Sequence, residues 1–252
     1  MEQSLRLRIS VVMLLLCALY FGCQSRVSGV SIRELTNAIE ECPPSVVHIK
    51  VSLGGNQYST GTGVLIRGER ILTAAHVIQN AQGIEVIFGG RGSFPKADAA
   101  RGQAVRYDPV DGLDLVVLRN LAIPPWAKPA PVAAKSPELQ DNLLSVGLEH
   151  PYAVRAHSGK LIGRTADPRE FYLSVLAQLG DSGGPVFNKL GELVGINRAI
   201  GENVLAHPSG LIIMSMTPGS PSPSVNTTTI DTTTYEPIAV TYVIDVTKCS
   251  LP

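Results

Sequence analysis

From Val47 to Leu53 the chain alternates strictly, with Val47, Ile49, Val51 and Leu53 on one side and His48, Lys50 and Ser52 on the other. A period of two is the mark of a half-buried β-strand, and no helix gathers those residues on one face. Short apolar runs follow at 63–67, 71–74, 84–88, 103–107 and 114–118, parted by glycine clusters at 54–55 and 89–92. With 24 Gly and 18 Pro in 252 residues the chain is broken too often for a helical bundle. It reads as short strands joined by tight turns, six of them in a first barrel or sandwich. Five prolines between Ala122 and Pro137 mark an extended connector, because proline cannot donate within a central strand or helix. A second set of runs, at 143–147, 160–165, 171–176, 185–188, 192–197 and 238–246, predicts about six more strands. The helical exception is 31–41, where Ile32, Leu35 and Ile39 share one face and Ser31 with Glu34 forms a capping box. Residues 216–237 are rich in Ser, Thr and Pro without an apolar period, and are expected to be a surface loop.

The first residues form an address. Arg6 and Arg8 precede the apolar run 9–21, which has the parts of a signal peptide and is shorter than the roughly 17 residues a spanning helix needs. The chain is therefore expected to be exported. Gly22-Cys23 resembles the lipobox of bacterial lipoproteins, which implies diacylation of Cys23 and attachment to a membrane; Tyr20 departs from the usual Leu. The expected organisation is 1–22 signal, 23–43 an N-terminal segment with the helix, 44–121 the first barrel, 122–137 the connector and 138–252 the second half. In an oxidising compartment Cys42 and Cys249 either bridge, closing a loop of about 200 residues, or remain two buried thiols. Lys plus Arg number 21 and Asp plus Glu 21, so no basic footprint points to nucleic acid.

Three short blocks carry chemistry: ILTAAHVI with His76 just after an apolar strand, DGLDLVVL with Asp114 opening another, and GDSGGPV with Ser182 between glycines. A serine hydroxyl is a weak nucleophile at neutral pH and needs an adjacent base, a part suited to an imidazole that titrates near about 6.5. A carboxylate on the other ring nitrogen would fix the tautomer and stabilise the imidazolium. Each block alone is weak, since a single histidine or a strand-opening aspartate is usually structural. GDSGG also satisfies Gly-x-Ser-x-Gly, the nucleophile turn of α/β-hydrolases, but that fold needs an acid and then a histidine after the serine. Only His207 follows, and no βαβ pattern surrounds it. His48, His150 and His157 have no metal-ligand spacing and read as surface residues; no metal or cofactor is expected.

Together the blocks resemble the trypsin-like serine endopeptidases, in that family's chain order of His, Asp, Ser. STGTGVLI before the histidine and GDSGGPVFNKLGELVGINRAI over 180–200 are most similar to the HtrA (DegP) branch. The likeness runs from about Pro44 to Ile200 and resumes weakly at 241–247. It implies an all-β fold of two six-stranded antiparallel barrels with the active site in the cleft between them. It also implies polypeptide substrates, a triad of His76, Asp114 and Ser182, and an oxyanion hole from the amides of Gly180 and Ser182. Relatives of the trypsin type are activated by a new N-terminal amine that pairs with the residue here numbered Asp181. No matching Ile-Val-Gly-Gly start exists; Arg26-Val27-Ser28-Gly29 is a distant imitation. HtrA proteins usually carry a PDZ domain after the protease, and none is expected to gate this chain. The resemblance puts Leu176 at the floor of the S1 pocket, followed by Ala177, with Ile196, Asn197 and Arg198 in its wall. An apolar floor disfavours a basic P1 residue, whose charge would be buried unpaired, and favours Val, Ala or Leu. An inward Arg198 would instead admit an acidic one. A folded but inactive binding or chaperone-like relative is the alternative.

Overall fold

The computed structural model describes residues 44–88, 100–103, 106–119, 122–149, 153–206, 212–215 and 236–251. The leader, Cys23, the 31–41 helix, Cys42, His150 and residues 216–235 lie outside them. The first half carries β1 (Val46–Gly54), β2 (Gln57–Ile66), β3 (Arg70–Thr73), β4 (Gly83–Phe88), β5 (Ala100–Gln103), β6 (Arg106–Pro109) and β7 (Val116–Arg119). The second carries β8 (Asn142–Glu149), β9 (Ala153–Arg164), β10 (Glu170–Leu173), β11 (Pro185–Phe187), β12 (Leu193–Ala206), β13 (Ile212–Ser215) and β14 (Glu236–Asp245).

The second sheet runs β11-β8-β9-β10-β14-β12-β13, and the extra pairing of β11 with β12 closes six of its strands into a barrel. The first runs β5-β4-β1-β2-β3-β7-β6, seven strands where six were expected, because the run at 103–107 falls across two. No pairing joins its edges among the described residues. Those edges, β5 and β6, are nevertheless parted by only two residues of chain, which cannot carry Gln103 more than about 11 Å from Arg106. The sheet must therefore curl until its edges face each other.

Three apolar clusters hold this arrangement. Val47, Ile49, Val51, Leu65, Ile71, Phe88 and Leu118 fill the first sheet, and Leu143, Leu161, Phe171, Leu173, Val186 and Val243 fill the second. The third lies between the two: Val46, Val64, Ile66, Leu72 and Ile87 meet Leu144, Val146, Leu148, Phe187, Leu193 and Ile244. The strands at this junction are covered on both faces. That corrects the reading of His48 as a solvent-side residue: it is 1% exposed, because the outer face of β1 is covered. His157 is half-buried on β9.

The connector is pinned to both halves through its few non-proline amides. Ala130 N donates to Leu65 O (2.8 Å) on β2, and Ala133 N donates to Leu193 O (2.9 Å) on β12, while Leu193 N donates to Pro131 O (2.7 Å). Trp126 and Ile123 pack on the first cluster.

Candidate active site

After β3 the chain turns through one short 3₁₀ segment, Ala75–Ile78, that carries His76. No side chain caps it; Asp114 does the work of a cap from across the sheet. Asp114 Oδ1 accepts from His76 N (2.8 Å), and Ala75 N donates to Asp114 O (3.2 Å). The second carboxylate oxygen, Oδ2, lies 2.7 Å from His76 Nδ1. Asp114 follows a tight reversal in which Asp111 and Gly112 both have positive φ (49° and 69°), and Leu113 N closes it on Val110 O (2.9 Å). One carboxylate thus fixes both the backbone and the ring of the histidine, whose side chain stays 40% exposed. Burial pushes the Asp114 carboxyl up, but hydrogen bonds from the His76 ring and amide, with the charge of Arg198, more than offset it and hold the value below 3.8. The stabilisation from this contact is present above that ordinary value and is lost as the pH falls through the lowered one.

The loop that carries Ser182 comes from the second half, between β10 and β11. Ser182 is half-buried, and its carbonyl accepts from Thr62 N (2.9 Å) on β2. A Cβ on Gly61 would lie 2.6 Å from Val77 Cγ1 and 3.1 Å from Ser182 O, so the residue after the histidine and the serine backbone border the same glycine. Among the described residues no hydrogen bond joins Ser182 to His76. Such contacts are often long in unliganded sites and tighten with substrate. Among the described residues no acceptor is seen for the amides of Gly180 and Ser182.

Thr62 was not singled out from the sequence, yet it locks the loop. Its Oγ1 donates to Gly180 O (2.7 Å) and accepts from Leu148 N (2.9 Å), while Thr73 Oγ1 donates to its carbonyl (2.7 Å). Nothing in a glycine-rich polar strand start marks it out. Gly183 completes the turn at φ +80°, where a Cβ would sit 2.1 Å from Thr73 Oγ1 and 2.2 Å from Thr62 O. Gly183→Ala is therefore expected to cost about 3 kcal/mol, from left-handed strain plus overpacking, seen as a lower urea midpoint at unchanged slope.

The expected S1 residues divide. Leu176 is 50% exposed, and Ala177 is buried with its amide on Thr241 Oγ1 (3.0 Å). Ile196 and Asn197, expected in the pocket wall, are buried on β12. Asn197 acts through its backbone, accepting from Gly183 N and donating to Gly184 O (both 2.8 Å). Arg198 is committed, with NH1 on both oxygens of Glu170 (3.0 and 3.1 Å) and Nε 3.8 Å from Asp114 Oδ2. Leu179 (92% exposed) and Ile200 (39%) are apolar surface that the sequence reading passed over. Cys249, for which a bridge to Cys42 was expected, carries a thiol donating to Asp245 O (3.4 Å), and burial pushes it up to about 11.

A curled sheet thus carries a carboxylate-held histidine, and the closed barrel beside it carries a serine on a glycine turn. The sequence profile of the trypsin-like peptidase domain matches residues 61–196, and the chain belongs to that family. The chain is 29% identical over 182 residues to human serine protease HTRA4, covering 63% of this chain and 35% of that protein. To the probable periplasmic serine endoprotease DegP-like of Pseudomonas fluorescens it is 33% identical over 161 residues, covering 56% and 29%. The chain thus spans about a third of the length of these relatives. In fold it is similar to the active form of the Rv3671c protease from M. tuberculosis, with a TM-score of 0.52 and 23% identity, covering 66% of this chain and 73% of that one.

Proposed function

We propose that the chain is a serine endopeptidase that hydrolyses peptide bonds in unfolded or extended protein segments through an acyl-enzyme. The observation that carries this is the double hold of Asp114 on His76, 2.8 Å to the amide and 2.7 Å to Nδ1. It keeps the Nδ1 proton in place and leaves Nε2 as the base. Nε2 takes the proton of Ser182 Oγ as Oγ bonds to the scissile carbonyl carbon, and the resulting oxyanion is received by the Gly180 and Ser182 amides. Collapse breaks the C–N bond, His76 returns the proton to the leaving amine, and water then releases the acid by the same steps. A cavity of about 590 Å³ lies beside His76 and Asp114, bordered by Ile78, Asn80 and Pro109.

An S1 floor at Leu176, which the family resemblance implies, and the engagement of Arg198 by Glu170 favour small or medium apolar P1 residues and count against an acidic one. The periplasmic description of the Pseudomonas relative supports an exported site of action, in keeping with the leader and Cys23. The open Ser182 to His76 contact favours one second reading, a catalytically silent binding module on the same fold.

Labelling with a fluorophosphonate probe, alongside cleavage of an unfolded model protein, tests the proposal. Both should occur in the mature chain and vanish in Ser182→Ala, with cuts after Val, Ala or Leu. No labelling of either protein would sink the enzyme reading in favour of the binding module.

A further inference from the structure

Asp181, directly before the nucleophile, is 1% exposed. A carboxylate taken out of water needs a partner of opposite charge or a full set of donors. Here the charge comes from Arg155, at the start of the long hairpin strand β9. Arg155 Nε and NH2 reach Asp181 Oδ1 at 3.1 and 2.9 Å. The same guanidinium donates from NH1 to Gln178 Oε1 (2.7 Å) and from NH2 to Leu179 O (2.6 Å). Gln178 N then closes the loop on Asp181 Oδ2 (2.8 Å). Arg155 therefore grips three of the four residues that precede Ser182, and its side chain is itself only 12% exposed.

The surroundings are cut to receive this pair. A Cβ on Gly147, which faces Arg155 across β8 and β9, would fall 1.9 Å from Asp181 Oδ1. A Cβ on Gly180 would fall 2.6 Å from Leu148 O, at φ +98°. The backbone that must present the Gly180 and Ser182 amides is thus held from β9 below and by Thr62 from the first sheet.

We infer that Arg155 is the positioning residue of the oxyanion loop, supplying from inside the chain the cation that orients Asp181, so that the loop is set by folding and not by a new amino terminus. The part it plays in turnover rests on the endopeptidase reading; the positioning itself does not. The planar fork is what the task requires, because a lysine ammonium can meet Asp181 but cannot also span Gln178 and Leu179.

The test uses Arg155→Lys, Arg155→Met and the double variant Arg155→Met with Asp181→Asn, each followed by thermal melting, turnover and hydrogen exchange of the segment 178–182. Arg155→Met strands a buried carboxylate and should lower the melting temperature. The double variant removes both charges and should restore most of it. Turnover should fall about a hundredfold to a thousandfold in both, comparable to losing an oxyanion donor, with KM little changed, and Arg155→Lys should fall between them and wild type. Exchange at 178–182 should rise in both Met variants. Recovery of turnover together with melting temperature in the double variant would overturn the inference, leaving a pair that only holds the fold. Unchanged exchange at 178–182 would overturn it as well, whether or not the protein cleaves anything. An inactive wild type whose loop still loosens in the Met variants would retain the positioning and discard the endopeptidase reading.

Discussion

Ser182→Ala should lower turnover about a millionfold, His76→Ala nearly as far, and the two together no further than either alone. The non-additivity is the informative part. If Ser182 Oγ attacks only because Nε2 removes its proton, then once one partner is gone the other has nothing left to do. Single-turnover cleavage of an unfolded protein measures it directly. Losses that multiply would mean two independent contributions and no proton transfer between them.

Asp114→Asn should cost about ten thousandfold while leaving the fold intact. The amide can still accept from His76 N through one oxygen, so the 3₁₀ turn keeps its anchor. At the other position an N–H group replaces the oxygen now 2.7 Å from Nδ1. It can pair only with a lone pair there, which forces the ring proton to Nε2, where it blocks the base. The check is kcat together with the rate of fluorophosphonate labelling at constant melting temperature. A loss smaller than tenfold would show that Asp114 only supports the backbone.

The order and spacing of the three motif blocks were legible in the sequence, because each needs a local pattern: a histidine after an apolar strand, an aspartate before one, a serine flanked by glycines. Strands with strict alternation or a solid apolar run were legible for the same reason. β2 and β9 begin earlier than expected, at Gln57 and Ala153, since their first halves are polar and are strands only because β1 and β8 pair with them. That information lies in the partner and not in the segment. The junction between the sheets was hidden in the same way: alternation describes a strand with one wet face, and β1 has two dry ones where it meets the second half. His48 was misplaced for that reason. Arg155, 27 positions from Ser182 in sequence, becomes part of the site only once β9 has folded back beneath the loop.

The shared apolar junction has a consequence for when activity can exist. Neither sheet can leave the other without exposing the lining of both, so the two should melt as one transition and no half of the chain should survive alone. His76 and Asp114 belong to one half and Ser182 to the other. If His76, Asp114 and Ser182 act together as proposed, a chain that has not yet closed this junction, or one just beginning to unravel, holds no working scissors, and topology protects newly made copies before any inhibitor is needed.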